Sequence, residues 1–152
     1  LPKWINENKP TNQDTFNFKP NKLNFSYDQN LIVSVEFVMN SLNSKDIQIV
    51  DARSSNRFKG IEKEPRKGLR SGHIPSSINL FYGDVIKPDF TLKSKEVLKD
   101  KIEKLGIDLN KHLITTCGSG VTASILYVIF KGLGVKKVSV YDGSWCEWGS
   151  LN

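Results

Sequence analysis

One cysteine in this chain stands where a sulfur anion could be held. Cys117 lies in the run Ile114-Thr-Thr-Cys-Gly-Ser-Gly-Val-Thr-Ala123, between a short apolar stretch and a longer one with helical spacing. Gly118 and Gly120 permit a tight loop whose main-chain N–H groups turn towards one point. A helix starting just beyond aims the positive end of its dipole at the same point. A thiol in that field ionises below its ordinary range, and the thiolate is the nucleophilic form. The chemistry implied is covalent catalysis by Cys117, with the amides of residues 118–123 stabilising its negative charge. A buried, inert cysteine at a strand end is the competing reading. The paired glycines and the helix start favour the reactive thiolate.

The flanking elements must do the positioning. His112–Thr116 reads as a short buried strand, and Val121–Lys131 as a packed helix closed by Gly132 and Gly134. Further strands are expected at Ile47–Val50, Ser77–Leu80 and Val135–Tyr141. Helices are expected at Val35–Leu42 after Ser34, and at Lys95–Leu105 after Ser94, whose face would be Val97, Leu98, Ile102 and Leu105. Strands alternating with helices predict an α/β fold with a mainly parallel sheet covered on both faces. Ligands of such sheets bind beyond the strands' carboxyl ends, where Asp51, Cys117 and Asp142 should gather. Ser54–His73 reads as a long polar excursion without regular structure, which in a compact domain is a sign of function or mobility. Residues 1–30, rich in Asn, Lys and Pro with Trp4, Phe16, Phe18 and Phe25 at intervals, read as a linker or an extended arm packed on a core. Residues 31–152 form the domain.

At 152 residues with 38% hydrophobic side chains, the chain suffices for one domain with a real core. The net charge of +6 is carried by scattered lysines with no block of like charge, which argues against a nucleic-acid stripe and for small anionic substrates. No apolar run has the length of a membrane span. Cys117 and Cys146 make no disulfide framework, which reads as intracellular. Two histidines and two cysteines far apart offer no metal-ligand spacing. Cys146 reads as a packed cysteine rather than a redox partner of Cys117.

Six motifs in order carry a resemblance. Asp51-Ala-Arg53, Arg57-Phe58, Glu64-Pro-Arg66, Gly72-His-Ile-Pro75, Cys117-Gly-Ser-Gly-Val-Thr-Ala123 and Tyr141-Asp-Gly-Ser-Trp145 together resemble the rhodanese superfamily. Within it they are most similar to the second, catalytic domain of the 3-mercaptopyruvate sulfurtransferases, over nearly the whole chain. The resemblance implies a rhodanese-like α/β domain that moves sulfur from 3-mercaptopyruvate to a thiol or cyanide through a Cys117 persulfide, with no cofactor. It implies that Arg57 and Arg66 bind the substrate, that Gly118, Gly120, Val121 and Thr122 form the binding loop, and that Ser119 relays a proton or caps its own backbone. Loop arginines taken alone read as solvated charges; the resemblance raises Arg57 and Arg66 above Arg53, expected to brace the loop through Asp51 or another carboxylate, and above Arg70. His73 is expected to be structural rather than a general base, and His112 incidental.

The family's thiosulfate users typically carry basic residues where Gly118 and Ser119 stand, so thiosulfate is the alternative donor. Its phosphatases end a longer loop in arginine, and Ala123 stands here instead. The resemblance also implies an N-terminal rhodanese-like partner domain in the same chain, with Leu1-Pro-Lys-Trp4 as the end of a linker. The domain alone is then expected to fold but turn over poorly. A thioredoxin-like acceptor and a cytoplasmic or mitochondrial location complete the expectation, and a non-catalytic binding or redox module is the competing class.

Overall fold

A computed structural model describes residues 1–15, 17, 19–26 and 28–151. Four parallel strands form its sheet: β1 (Ile47–Asp51), β2 (Ile78–Asn79), β3 (His112–Thr116) and β4 (Val138–Val140), in the order β2-β1-β3-β4. Parallel neighbours need crossovers, and helices supply them on both faces. The helices are α1 (Pro2–Asn6), α2 (Val35–Ser41), α3 (Ser55–Phe58), α4 (Lys95–Lys104), α5 (Ala123–Gly132) and α6 (Ser144–Trp148), with a 3-10 turn at Tyr82–Asp84.

The two-residue period of the strands divides the core. Val50, Leu113 and Val138 face Leu98 and Ile102 of α4 and Leu126, Ile129 and Phe130 of α5. Ile49 and Ile114 face the other way, onto Val38 of α2 and Trp145 and Trp148 of α6. The central strand β3 is buried from Leu113 through Thr116, so its last residue and the cysteine after it are held without slack.

Local chemistry sets the boundaries. Ser34 and Ser94 accept hydrogen bonds from the N–H groups of Phe37 and Val97, as caps for α2 and α4. Gly134 takes a left-handed φ of 91° just past α5. On α4 only Leu98 and Ile102 are buried; Val97 and Leu105 are 50% and 38% exposed, because the helix offers the sheet a narrower stripe than its apolar residues suggest. The strand expected over Val135–Tyr141 is confined to Val138–Val140, since Val135 still belongs to the turn closing α5 through Phe130 O.

Two segments depart from expectation. The excursion Ser54–His73 opens with the one-turn helix α3, capped by Ser54 through the Arg57 N–H. The described residues of the first thirty are exposed, not packed as an arm, and Pro2–Asn6 is helical rather than extended. Phe16 and Phe18 lie outside the described residues. Pairing with the sheet begins at Leu31, where Val140 N–H donates to Leu31 O and Val33 N–H to Val140 O, adding a short fifth parallel edge at Ile32. Among the described residues no helix is long and apolar enough to cross a membrane.

Candidate active site

The chain leaves β3 at Thr116 and turns at Cys117, on the carboxyl edge of the sheet. A cleft of about 370 Å³ opens there, lined by Arg57, Pro65, Arg66, Cys117, Gly118, Ser119, Val121 and Thr122. Seven of the eight residues singled out from the sequence thus surround one space. Gly120 is the exception. It stands behind the loop at φ 80°, where an added Cβ would lie 3.1 Å from Asp142 O, so it shapes the turn without facing the cleft.

Cys117 is 2% exposed. Burial alone pushes its thiol up, but hydrogen bonding from the Thr122 hydroxyl and from the N–H groups of Ser119, Ala123 and Thr122 outweighs burial. The net effect is a pKa below the ordinary 9.0. The amide ring is therefore narrower than the sequence implies. The N–H of Gly120, like that of Cys117 itself, is occupied by Ser144 Oγ, at 3.0 and 3.2 Å. Thr122 lowers the Cys117 pKa through its hydroxyl and Ser119 through its N–H, while the exposed Ser119 side chain lines the cleft. The helix begins at Ala123, not Val121, so Val121 and Thr122 remain in the loop. Thr122→Val should raise the Cys117 pKa, shifting the pH profile of alkylation upwards; an unmoved profile would remove the hydroxyl from the account.

Ser144 has no role in the sequence reading, yet it fastens the loop. It is fully buried, takes φ 52°, accepts the two N–H groups just named and donates to Tyr141 O at 2.8 Å. A non-glycine residue held there costs on the order of 1–3 kcal/mol of backbone strain, which three hydrogen bonds offset. Trp145 and Cys146 N–H then donate to Cys117 O and Gly118 O, so α6 clamps both sides of the nucleophile's peptide. The neighbouring Asp142 and Gly143 mark a turn and say nothing of this role of Ser144.

The arginines divide as their partners dictate. Arg53 is buried, bonded to Asp51 by Nε and Nη2, to Glu64 Oε1 by Nη1 at 2.8 Å and to Gly72 O, and stacked on Trp145. Glu64, missed in the sequence because a glutamate in a polar loop looks solvated, is the pivot: its side chain is 2% exposed and also grips Arg57 Nη2 at 2.6 Å. That carboxylate stabilises the protonated Arg57, whose side chain keeps 23% exposure towards the cleft. Gly118 has no left-handed φ; it is small because a Cβ there would meet Arg57 Nη2 at 3.0 Å. Arg66 is exposed on the far wall, with Nη1 against Cys146 Sγ. Arg70 leaves the site altogether, donating to Trp148 O.

Neither histidine belongs to the cleft. His73 bonds Phe58 O through Nδ1 at 2.8 Å and stacks on the Phe58 ring, and His112 pairs with Ser139 Oγ at the other end of β3. Both cysteines are free. Among the described residues no cluster of His, Cys, Asp or Glu could hold a metal ion.

A rhodanese-like domain model matches residues 34–151. The chain is 37% identical to a 3-mercaptopyruvate sulfurtransferase from Mus musculus over 145 residues, which is 95% of this chain and 49% of that protein. It is 36% identical to a thiosulfate sulfurtransferase from Bos taurus over 146 residues, with the same coverage of each. The crystal structure of SseA from Escherichia coli, described as showing the rhodanese fold of 3-mercaptopyruvate sulfurtransferases, superposes with a TM-score of 0.82. The identity there is 28%, over 95% of this chain and 53% of that one. The chain spans about half the length of the curated relatives it matches. A matching domain model over most of the sequence and a parallel sheet that presents a cradled cysteine at its carboxyl edge agree: this chain belongs to the rhodanese family.

Proposed function

We propose that this chain is a sulfurtransferase domain that takes sulfur from 3-mercaptopyruvate onto Cys117 and passes it to a thiol. The observation that carries this reading is a buried cysteine, poised towards its thiolate, sharing one cleft with two guanidinium groups. In the first step the Cys117 thiolate attacks the donor's sulfur and the sulfur–carbon bond breaks. The bonding pair leaves with carbon as the enolate of pyruvate, which takes up a proton. In the second, an acceptor thiolate attacks the outer sulfur of the Cys117 persulfide, and Cys117 returns as thiolate. Electrons balance within each step, so no external oxidant enters. The N–H groups that favour the thiolate favour the persulfide anion equally.

Arg57, fixed by Glu64, holds the donor's carboxylate, and Arg66 faces it from the exposed wall. Ser119 lies within the cleft to bring a proton to the departing enolate. Arg57→Ala should raise KM for 3-mercaptopyruvate by about 10–100-fold, the worth of a charged hydrogen bond at roughly 1.5–3 kcal/mol. It should leave cyanide's reaction with preformed persulfide nearly unchanged. Steady-state kinetics with each substrate check this, and an unaltered KM would remove Arg57 as the anchor.

The thiosulfate reading is favoured by the identity with the bovine enzyme. Against it, among the described residues the cleft is lined by no cation beyond Arg57 and Arg66, and the Arg57 guanidinium occupies the space a basic side chain at 118 would need. Because Arg66 and Val121 remain exposed, a covering N-terminal domain of the same protein would complete the cleft. Free thiols suit a reducing compartment, the cytosol or the mitochondrial matrix. Incubation with 3-mercaptopyruvate should add one sulfur atom to the Cys117 peptide in the mass spectrum, and more readily than thiosulfate does. An unmodified Cys117 would instead mark a non-catalytic module.

A further inference from the structure

We infer that the opposite, amino-terminal edge of the sheet carries a second binding site, for a small anion bearing a flat aromatic ring. A cavity of about 640 Å³ opens where β3 and β4 begin, between residues 28–34 and the last turns of α5. That volume lies within the range of roughly 300–1,000 Å³ typical of small-molecule sites. Part of its lining is apolar and aromatic: Phe37 from α2, Tyr127 from α5, Ile32, Val33 and Val138. The His112 ring stands at the base, 5.9 Å from the Phe37 ring.

Charge defines the other half of the ligand. Lys131, Lys136 and Lys137 line the same cavity, and among the described residues none of them has a carboxylate within ion-pair distance. Asp28 is the one acid in the lining, so three positive charges against one negative leave a surplus of two. Two polar groups of the base are already engaged: His112 Nε2 pairs with Ser139 Oγ, which donates to Asn30 O at 2.6 Å. What remains unpaired is ammonium, a point-like cation suited to a phosphate or sulfonate. Exposed faces of Phe37 and Ile32 stand beside it, at 40% and 46% exposure, and a planar ring would cover them. The site is separated from Cys117 by the length of β3, roughly 15 Å, so it does not depend on the sulfur chemistry.

Adenosine monophosphate joins a phosphate to a flat ring and is the probe. Titrated into the ¹⁵N-labelled chain, it should give saturable amide shifts at Phe37, His112, Tyr127 and Val138. The Lys131→Ala/Lys137→Ala double variant, altered only at exposed positions, should bind it at least tenfold more weakly, as should the native chain bind inorganic phosphate. No saturation up to millimolar nucleotide, shifts confined to residues 117–123, unchanged affinity in the double variant, or phosphate binding as tight as the nucleotide would each overturn the inference.

Discussion

Cys117→Ser is expected to abolish sulfur transfer, by at least about 10⁴-fold, without unfolding the domain. Serine fits the same buried position and its hydroxyl can accept from the N–H groups of Ser119, Thr122 and Ala123, so the loop keeps its shape. An alkoxide is not accessible at neutral pH, and the donor's sulfur then meets no nucleophile. Turnover with 3-mercaptopyruvate and a thermal melt, made on the same sample, separate the two effects. Substantial turnover by the serine variant would shift the chemistry to Cys146, the other free thiol. A collapsed melting transition would make Cys117 a packing residue.

The second large effect lies outside the reacting atoms. Glu64 neutralises Arg53 and Arg57 together, while Asp51 takes the other side of Arg53; all but Arg57 are almost fully buried. Removing one carboxylate leaves two guanidinium groups facing a single negative charge in a dry setting. Breaking a buried pair this way costs about 3–5 kcal/mol. That is a large share of the roughly 5–15 kcal/mol that hold an ordinary domain together. Glu64→Ala should therefore lower the urea midpoint sharply or prevent folding. Glu64→Gln keeps the volume and one acceptor, and it should fold with a smaller loss. Its released Arg57 should raise KM for 3-mercaptopyruvate more than it lowers kcat. Equal stability of both variants and wild type would show the pairs to be surface contacts; a glutamine variant with native KM would free Arg57 from Glu64.

The parts legible in the sequence are those where a local rule and the tertiary structure agree. His112–Thr116 is a strand end to end because its apolar residues are buried on both faces, and Ser34 and Ser94 cap their helices as their types suggest. The parts that escaped depend on distant partners. Ser55–Phe58 has the composition of a loop and becomes helical where Ser54 caps it and Glu64 holds Arg57. Nothing near Ser144 in sequence foretells that it will take N–H groups from Cys117 and Gly120. Gly118 and Gly120 look alike in the sequence, yet one makes room for Arg57 and the other turns the backbone. The helix starts two residues later than its apolar pattern suggests, which leaves Val121 and Thr122 in the loop beside the sulfur.

The central claim is that main-chain N–H groups and the Thr122 hydroxyl hold the Cys117 thiol below its ordinary pKa, favouring the thiolate. Alkylation by iodoacetamide as a function of pH, in a Cys146→Ser background, reads this directly. The account predicts that the rate of Cys117 modification holds below pH 9.0 and falls only as pH drops through a lower midpoint. A midpoint at or above 9.0 would contradict it.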